Sequence, residues 1–314
     1  MMLVSPKLLY NHCYGKYAIS AVNVFTMEQV HGLFAAAQET ATPIIVQLTP
    51  AARNYAHPKM LMAMIEAAGK IYPETIFAVH LDHGVEEHID DAINNQYTSV
   101  MIDASHDDFA TNIKRTKAVV EKAHQKNIVV EAELGVLSGV EDDLSIDEAN
   151  ARYTNPAKAK EFVDRSGCDS LAIAIGTSHG AYKFSEGKGL QFDVLKKIQE
   201  VLPNYPLVLH GSSGVNKKEI AAINQYGGKL LENASGVSDS EIKKAISYGI
   251  CKVNIATDLR LLWAKVHRKF FYEQPEAFDP VVPGKEYMKA YKEFMTERFE
   301  ILGSNGKSTS INLN

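Results

Sequence analysis

LAIAIGTSHG, residues 171–180, has the pattern of a buried strand that ends in a loop rich in glycine and hydroxyl groups. Its apolar run is continuous rather than alternating, which is typical of a parallel strand buried on both faces. The stretches IIV at 44–46 and LVL at 207–209 have the same character. Such runs predict a parallel sheet that is buried on both faces.

Eight strands of this kind are predicted, and helical stretches separate them. Strand–helix alternation repeated eight times predicts an α/β fold, a (β/α)8 TIM barrel. A doubly wound open sheet is the alternative, but no G-x-G-x-x-G follows the first strand. The predicted strands are Ala18–Val22, Pro43–Leu48, Ile76–Leu81, Ser99–Ile102, Ile128–Glu131, Ser170–Ile175, Pro206–Leu209 and Cys251–Ile255.

The predicted helices include an N-terminal helix before the barrel and extra C-terminal helices after it. Lys59–Ile71, for example, combines strong helix formers with an apolar stripe. No linker-like change in composition interrupts the chain, so we expect residues 1–314 to form one domain, with the polar segment 303–314 as a flexible tail. The other predicted helices are Met27–Thr40, Val85–Asn95, Asp108–Lys126, Pro156–Ser166, Phe192–Val201, Lys217–Tyr226, Leu259–Tyr272 and Lys285–Leu302.

Composition excludes several classes of function. The chain carries 33 Lys and Arg against 38 Asp and Glu, for a net charge of −5, which disfavours nucleic-acid binding because that depends on clustered basic residues. Its three cysteines form neither an even set nor a C-x-x-C pair, which argues against a disulfide framework. No apolar run approaches the ~18 residues of a membrane helix, and the first residues do not resemble a signal peptide. We therefore expect a cytoplasmic protein that binds neither nucleic acid nor membrane.

Three histidines stand at predicted strand ends, where a barrel of this kind carries its active site. Each is followed directly by glycine: His83, His179 and His210. Imidazole suits zinc, and a catalytic zinc takes three protein ligands and keeps one position open. The sequence therefore predicts a catalytic metal centre at this rim. His80 is expected to be an ordinary core or surface histidine, on the other face of the strand from the neighbours of His83.

Turns of small residues follow the last two predicted strands, at His210–Gly214 and Asn254–Thr257. Backbone N–H groups and hydroxyls in such turns bind anions, and the loops after strands seven and eight often hold phosphate in these barrels. Together with the metal centre they predict a phosphorylated substrate polarised by a divalent cation. Two long glycine-bearing loops, Leu134–Asn155 and Gly176–Gly189, are interpreted as active-site lids.

Sequence blocks over nearly the whole chain resemble the class II ketose-bisphosphate aldolases, which include the fructose- and tagatose-bisphosphate aldolases. The HLDHG and GTSHG blocks are specific when they occur together in this order. The resemblance implies a zinc-dependent lyase of glycolysis and carbohydrate metabolism, a homodimer or homotetramer. The blocks are AVHLDHG (78–84), SVMIDASH (99–106), VEAELG (130–135), YTNP (153–156), AIGTSHGAYKF (174–184), LVLHGSSGV (207–215) and CKVNIATDLR (251–260).

The resemblance also implies roles for single residues. Asp82 would exchange a proton with the C4 hydroxyl during C3–C4 cleavage, and Glu141, in the loop after strand five, would act in proton transfer at C3. The metal ligands would be His83, His179 and His210 for the catalytic zinc, with Asp103 and Glu133 at a second or alternative metal location.

Substrate contacts follow from the same resemblance. The phosphate-bearing half of the substrate would lie against the small-residue turns, and some family members place a monovalent cation, Na⁺ or K⁺, beside them. The implied contacts are Gly180, Gly211, Ser212, Ser213, Asn254, Ile255, Ala256 and Thr257, with Thr49 and Arg260 as further candidates.

The chemistry fits these residue types. Retro-aldol cleavage leaves an enediolate that zinc can stabilise as a Lewis acid, so no Schiff-base lysine is required.

The choice of substrate depends on segments that differ within the family. Ala256 stands where fructose-bisphosphate members commonly carry an acid and tagatose-bisphosphate members carry an alanine. By contrast, Asp258-Leu259-Arg260 and the segments 226–233 and 274–280 look more like the fructose-bisphosphate members. We expect cleavage of fructose 1,6-bisphosphate to dihydroxyacetone phosphate and glyceraldehyde 3-phosphate, with tagatose 1,6-bisphosphate as the alternative substrate.

Two other functions stay open. A metal-dependent phosphosugar epimerase or isomerase could use the same barrel and the same metal. A non-catalytic phosphosugar-binding homologue is the alternative outside enzymes, and the intact Asp82 beside the three histidines argues against it.

Overall fold

The computed structural model describes residues 1–141, 144–146, 152–179, 189–232 and 236–313, and at 138–141, 144–146 and 179 it describes the backbone. The strands are β1 (Met2–Leu3), β2 (Ile19–Asn23), β3 (Ile44–Leu48), β4 (Ile76–Gly84), β5 (Ser99–Ile102), β6 (Val129–Leu134), β7 (Ser138–Glu141), β8 (Leu144–Ile146), β9 (Ser170–Ile173), β10 (Ser178–His179), β11 (Leu207–Leu209) and β12 (Ile250–Ile255). The α-helices are α1 (Pro6–Cys13), α2 (Met27–Glu39), α3 (Pro50–Ala56), α4 (Pro58–Ile71), α5 (Glu86–Asn94), α6 (Phe109–His124), α7 (Pro156–Ser166), α8 (Phe192–Val201), α9 (Lys217–Gln225), α10 (Asp239–Ile246), α11 (Thr257–Glu273) and α12 (Val281–Leu302).

Eight of the described strands form a closed parallel barrel. They pair in the cyclic order β2, β3, β4, β5, β6, β9, β11 and β12, and β12 pairs again with β2. Almost every residue in these strands is buried, because side chains on one face fill the barrel and those on the other pack against the helices. The predicted (β/α)8 barrel is confirmed, and each predicted strand coincides with a barrel strand.

The first helix closes the N-terminal end of the barrel. Leu9, Tyr10 and Cys13 of α1 pack against Ala21 and Ile45, which lie on strands of the barrel. Ser5 caps α1 by accepting a hydrogen bond from the backbone N–H of Lys7, and Pro6 takes the first helical position, where its missing N–H costs nothing. This end is thereby sealed, so the opposite rim is the one that can admit a ligand.

The C-terminal segment packs on the barrel, unlike the flexible tail expected from its polarity. The backbone N–H groups of Gly306 and Ser308 donate to the carbonyls of Thr40 and Ala41 at 2.8 and 2.9 Å. Ile311 is 8% exposed and joins the apolar cluster around α1. One apolar side chain and two backbone hydrogen bonds anchor a segment that is otherwise polar. Among the described helices, none is both long enough and apolar enough to cross a membrane.

The two long loops meet above the rim. Strand β10 pairs in parallel with β7, so that Ser178 lies opposite Ser138 and His179 opposite Gly139. Strand β7 also pairs with β8 in an antiparallel hairpin. The described parts of both loops thus form one small sheet, which fixes the backbone of His179 over the barrel mouth.

Candidate active site

The end of β4 places two neighbouring side chains at one centre. Adjacent residues of a regular strand point to opposite faces. Here the register of β4 against β5 shifts between Leu81 and Gly84, and His83 has a φ of 49°. Such an irregularity re-aims side chains, and ligand atoms of Asp82, His83 and His210 all lie within 4.8 Å of one another.

His83 and His210 face each other across the barrel mouth. The distance between His83 Nε2 and His210 Nδ1 is 3.0 Å, and the rings are nearly perpendicular, at 81°. The other nitrogen of each ring contacts a carboxylate: His83 Nδ1 lies 2.9 Å from Asp103 Oδ2, and His210 Nε2 lies 2.9 Å from Glu131 Oε1. Both carboxylates accept hydrogen bonds, which directs the remaining nitrogen of each ring toward the same point.

This geometry fits a metal ion. Two imidazole nitrogens that each lie about 2.0–2.1 Å from a tetrahedral zinc are about 3.3 Å apart. The distance of 3.0 Å between His83 Nε2 and His210 Nδ1 is close to this value. Burial lowers the pKa of His210 even though its hydrogen bond to Glu131 acts in the opposite direction, so the ring is held in the neutral form that binds metals. The side chain of His179, the third predicted ligand, lies outside the described residues.

Asp103 and Glu133, which the family resemblance implies for a second metal location, lie beside His83. Ligand atoms of the three residues are within 4.8 Å of one another. Burial alone would raise the pKa of Asp103, but His83 and the hydroxyl of Ser105, which donates at 2.8 Å, hold that pKa well below its usual range. Glu133 Oε2 lies 3.9 Å from His210 Nδ1. These carboxylates could therefore receive a cation displaced from the histidines.

Asp82 is fully buried among amide side chains. Its Oδ2 accepts hydrogen bonds from Gln47 Nε2 at 3.2 Å and Asn23 Nδ2 at 3.4 Å, and its Oδ1 accepts one from Asn254 Nδ2 at 3.2 Å. Sequence reasoning missed Asn23 and Gln47. The available signal was a polar side chain near the end of each of two apolar strands, β2 and β3.

The turns after β11 and β12 are tied to each other. Ser212 Oγ donates to the carbonyl of Asn254 at 2.8 Å, and the backbone N–H groups of Gly214 and Val215 donate to the Asp258 carboxylate, each at 2.9 Å. Gly211 has a φ of 57°, and a Cβ there would lie 2.6 Å from the Ser178 carbonyl oxygen, so glycine is required. The α11 N-terminus begins at Thr257, directly beside these turns.

Within the part of the chain that the structure describes, several buried polar atoms in and near these turns lack a hydrogen-bond partner. Among the described residues, none donates to Asn254 Oδ1 or pairs with Thr177 Oγ1 or Ser178 Oγ. Buried polar groups normally have partners. These three atoms, together with the α11 N-terminus and the serine turn, are what an anionic, hydroxyl-bearing ligand would satisfy.

The other predicted contacts lie in different surroundings. Thr49 Oγ1 accepts from the backbone N–H of Ala52 at 3.2 Å, so it caps α3. The Arg260 guanidinium lies 5.3 Å from the centre of the Phe25 ring, and Ile255 is buried at the end of β12. Gly180 and the side chain of Glu141 lie outside the described residues, although the Glu141 backbone pairs with Leu144. Of the remainder, Ser213 is buried and Ala256 lies between Ile255 and Thr257.

The face predicted for His80 was wrong, although His80 is a buried histidine with hydrogen-bond partners, as an ordinary core histidine would be. His80 points into the barrel below Asp82, because residues two apart on a strand share a face. Its Nε2 lies 3.3 Å from Lys252 Nζ, and that ammonium lies 2.9 Å from both oxygens of Glu131. Burial and the Lys252 charge lower the pKa of His80 well below its usual value. Burial by itself would raise the pKa of Glu131, but Lys252 and then the two histidines hold it well below its usual range.

A closed (β/α)8 barrel with facing imidazoles and a buried carboxylate at its mouth defines a barrel enzyme of the metal-dependent class. Residues 5–307 match the family model described as fructose-bisphosphate aldolase class-II. The chain belongs to this class II fructose-bisphosphate aldolase family, which confirms the resemblance noted in the sequence.

Individual relatives agree with this assignment. The chain is 42% identical to a fructose-bisphosphate aldolase of Thermus caldophilus over 302 residues, covering 93% of this chain and 95% of the relative. It is 41% identical to a fructose-bisphosphate aldolase of Giardia intestinalis over 297 residues, covering 93% and 90%. The crystal structure of the YdjI aldolase from Escherichia coli K12 superimposes with a TM-score of 0.78 at 32% identity, covering 98% of this chain and 100% of that one.

Proposed function

We propose that this protein is a zinc-dependent aldolase that reversibly cleaves fructose 1,6-bisphosphate into dihydroxyacetone phosphate and glyceraldehyde 3-phosphate. The observation that carries the proposal is the placement of the buried Asp82 carboxylate within 4.8 Å of the two facing imidazoles of His83 and His210. A proton acceptor is thereby adjacent to the point where the histidines converge. Aldol cleavage needs both features within the length of one substrate.

His83, His179 and His210 would hold the catalytic zinc, and Asp103 and Glu133 a second metal location. When bound, zinc supplies a Lewis acid that polarises the ketose carbonyl. Na⁺ or K⁺ beside the phosphate-binding turns stays a prediction from the family resemblance.

Asp82 would take the proton of the C4 hydroxyl. As the O–H bond breaks, its electron pair forms the new C4 carbonyl, and the C3–C4 bond breaks with its electrons remaining on C3. The three amide donors around Asp82 hold its carboxylate in place, where it would act as the proton acceptor. The C3 carbon would then be protonated by Glu141, whose loop pairs with the strand that carries His179.

The phosphate of the dihydroxyacetone half would bind the turns after β11 and β12. Helix α11 directs its N-terminal dipole and backbone N–H groups at that point. Asn254 would serve two purposes, since its Nδ2 contacts Asp82 and its Oδ1 can accept from a substrate hydroxyl. The proposed contacts to the substrate are Gly180, Gly211, Ser212, Ser213, Asn254, Ile255, Ala256 and Thr257, with Thr49 and Arg260 near them.

A coupled assay tests the proposal. The zinc-loaded protein is supplied with fructose or tagatose 1,6-bisphosphate, and triose phosphate release is followed in parallel with the sugar stereochemistry. Triose phosphate with a higher kcat/KM for the fructose epimer is expected. An epimerised hexose without cleavage would assign an epimerase instead, and binding without turnover would assign a phosphosugar sensor. The matched control is Asp82→Asn, which keeps the size of the side chain and removes the base.

The same proposal includes a homodimer or homotetramer in the cytoplasm. Large apolar side chains on α11 and the segment after it are exposed, with Trp263 at 49%, Phe271 at 44% and Phe278 at 93%. Single exposed apolar residues are ordinary, but three exposed aromatic side chains on one helix and the segment that follows it favour a subunit interface. Sedimentation velocity of the wild type against Trp263→Glu/Phe271→Glu tests this: a smaller species is expected from the variant.

A further inference from the structure

A lysine lies in the barrel interior, where a charge is costly. Lys252 on β12 has no exposed surface, and an ammonium removed from water destabilises the fold unless a partner charge offsets the lost hydration. All three of its N–H groups have acceptors: Oε1 and Oε2 of Glu131, each at 2.9 Å, and His80 Nε2 at 3.3 Å. The neutral His80 is itself fixed, because its Nδ1 lies 2.8 Å from Ser99 Oγ.

Glu131 connects this lysine to the metal centre. The Oε1 that accepts from Lys252 is the same atom that lies 2.9 Å from His210 Nε2. With both carboxylate oxygens on the ammonium, the carboxylate plane is fixed and Oε1 is aimed at the imidazole. A carboxylate acceptor at Nε2 selects the tautomer whose Nδ1 carries the lone pair, and His210 Nδ1 is the nitrogen that faces His83.

The ammonium also occupies a position that could otherwise attract a metal. Ligand atoms of His80, Asp82 and Glu131 lie within 4.8 Å of one another, as they would around a cation. Lys252 Nζ already bonds two of these three residues. A divalent ion is therefore kept out of the barrel interior and directed to the rim.

We propose that Lys252 is a positioning residue for the catalytic metal: it acts through Glu131 to hold His210 in the orientation and tautomer that present Nδ1 to the ion. The inference rests on the proposed function, in which His210 is a zinc ligand. Neither Lys252 nor Glu131 contacts the substrate in this scheme, so their effect is on metal binding first and on catalysis second.

Lys252→Met tests the inference, since methionine has a similar length without the charge. Zinc affinity is measured by competition with a chromogenic chelator, and the coordination by the visible absorption of the cobalt(II)-substituted protein. Loss of a partner that orients a metal-bound histidine typically weakens metal binding about 10–100-fold, and we expect this range together with a changed cobalt spectrum. Lys265→Met is the matched control, because Lys265 pairs with Glu219 on the outer helices at 2.6 Å, and its affinity should equal that of the wild type.

A second variant covers the case in which Lys252→Met does not fold because Glu131 is left unpaired. Lys252→Met/Glu131→Gln removes both charges and keeps the volume. If Lys252 acts through Glu131, this double variant binds zinc as weakly as Glu131→Gln alone, so the two effects are not additive. Wild-type zinc affinity in Lys252→Met, or in the double variant where the single one does not fold, would overturn the inference while leaving the proposed function intact. A wild-type protein that does not bind zinc would instead overturn the proposed function and this inference with it.

Discussion

His83 Nε2 and His210 Nδ1 lie 3.0 Å apart although their strands, β4 and β11, stand on opposite sides of the barrel ring. Each ring is held from behind by a carboxylate, Asp103 for His83 and Glu131 for His210. Two imidazole lone pairs directed at each other repel unless a cation lies between them.

Removal of the metal should abolish activity. A chelator is expected to reduce triose phosphate release to background, and zinc or cobalt should restore it, because three imidazoles are the ligands of an open catalytic zinc site. His83→Ala, His179→Ala and His210→Ala should each lose tightly bound metal, measured by elemental analysis after gel filtration. His124→Ala is the control, since His124 pairs with Asp169 away from the centre. Full activity of the metal-free protein would refute the prediction.

Replacement of Asp82 should separate catalysis from metal binding. Asp82→Ala is expected to lower kcat by at least about 10²-fold, the usual scale for a general acid or base. Its zinc content should stay near that of the wild type, because the proposed zinc ligands are the histidines. The Asp82 carboxylate is instead bonded to the amides of Asn23, Gln47 and Asn254. Steady-state kinetics and metal analysis on one preparation check both. A variant with normal kcat and lost zinc would reverse the assignment.

Asp258 should control the phosphate-binding turn without touching the metal. Its carboxylate accepts two backbone hydrogen bonds, from Gly214 and Val215, and Val215 has a φ of 46° that a β-branched residue rarely adopts. Asp258→Ala should destabilise the protein by about 2 kcal/mol and raise KM for the bisphosphate, since each of the two hydrogen bonds to this half-buried carboxylate contributes about 1 kcal/mol. Zinc affinity should not change. Asp239→Ala, which breaks an ion pair with Arg298 in the same region, is the control. Equal KM values in the two variants would contradict the assigned role.

Acid should destabilise the metal-free protein already at pH values well above those at which carboxylates titrate. Burial lowers the pKa of both His80 and His210, so below the unfolded value of about 6.5 the unfolded chain binds more protons than the folded one. The contribution of these histidines to the free energy of unfolding is therefore fully present above that pH. It falls as the pH drops, by at most about 1.4 kcal/mol per pH unit for each histidine. Urea unfolding of chelated protein at pH 7.5, 6 and 5 measures the slope. His80→Gln should lower it, and a flat profile between pH 7.5 and 5 would be the contrary result.

The barrel was predictable because burial on both faces leaves an unmistakable pattern. The run at 171–175 has no polar residue to suggest an exposed face, and β9 forms at Ser170–Ile173. Helix α3 was not foreseen, since seven residues after Pro50 carry little periodicity, and the cap from Thr49 becomes visible once the backbone is known. The packed C-terminal segment was missed because Ile311 and two backbone hydrogen bonds leave little pattern in a polar sequence.

The site was predictable in part, and its limits have a physical cause. Position at a strand end is sufficient to bring His83, His210 and Asp82 together. The face of His80 was mispredicted, because by alternation His80 shares a face with Asp82 and points into the barrel. The register shift after Leu81, which changes the direction of His83, has no signature in the sequence. The interior pair of Lys252 and Glu131 has no local signature, since the two residues are 121 positions apart and meet through barrel closure.

Discrimination between the two C4 epimers should depend on the turn after β12. Ala256 follows two residues after Asn254, whose Nδ2 lies 3.2 Å from Asp82 Oδ1, so the turn runs past the proposed C4 proton acceptor. Alanine cannot accept a hydrogen bond from a substrate hydroxyl, and a site without that bond discriminates less strongly. Ala256→Asp should therefore shift the ratio of kcat/KM toward fructose over tagatose 1,6-bisphosphate. A shift of about tenfold corresponds to ~1.4 kcal/mol, within reach of one hydrogen bond to a charged group. Ala256→Leu, which adds volume without an acceptor, separates hydrogen bonding from crowding. If the ratio does not move in Ala256→Asp, or moves toward tagatose, then Ala256 does not face the sugar, and Thr49 and Arg260 are the positions to exchange next.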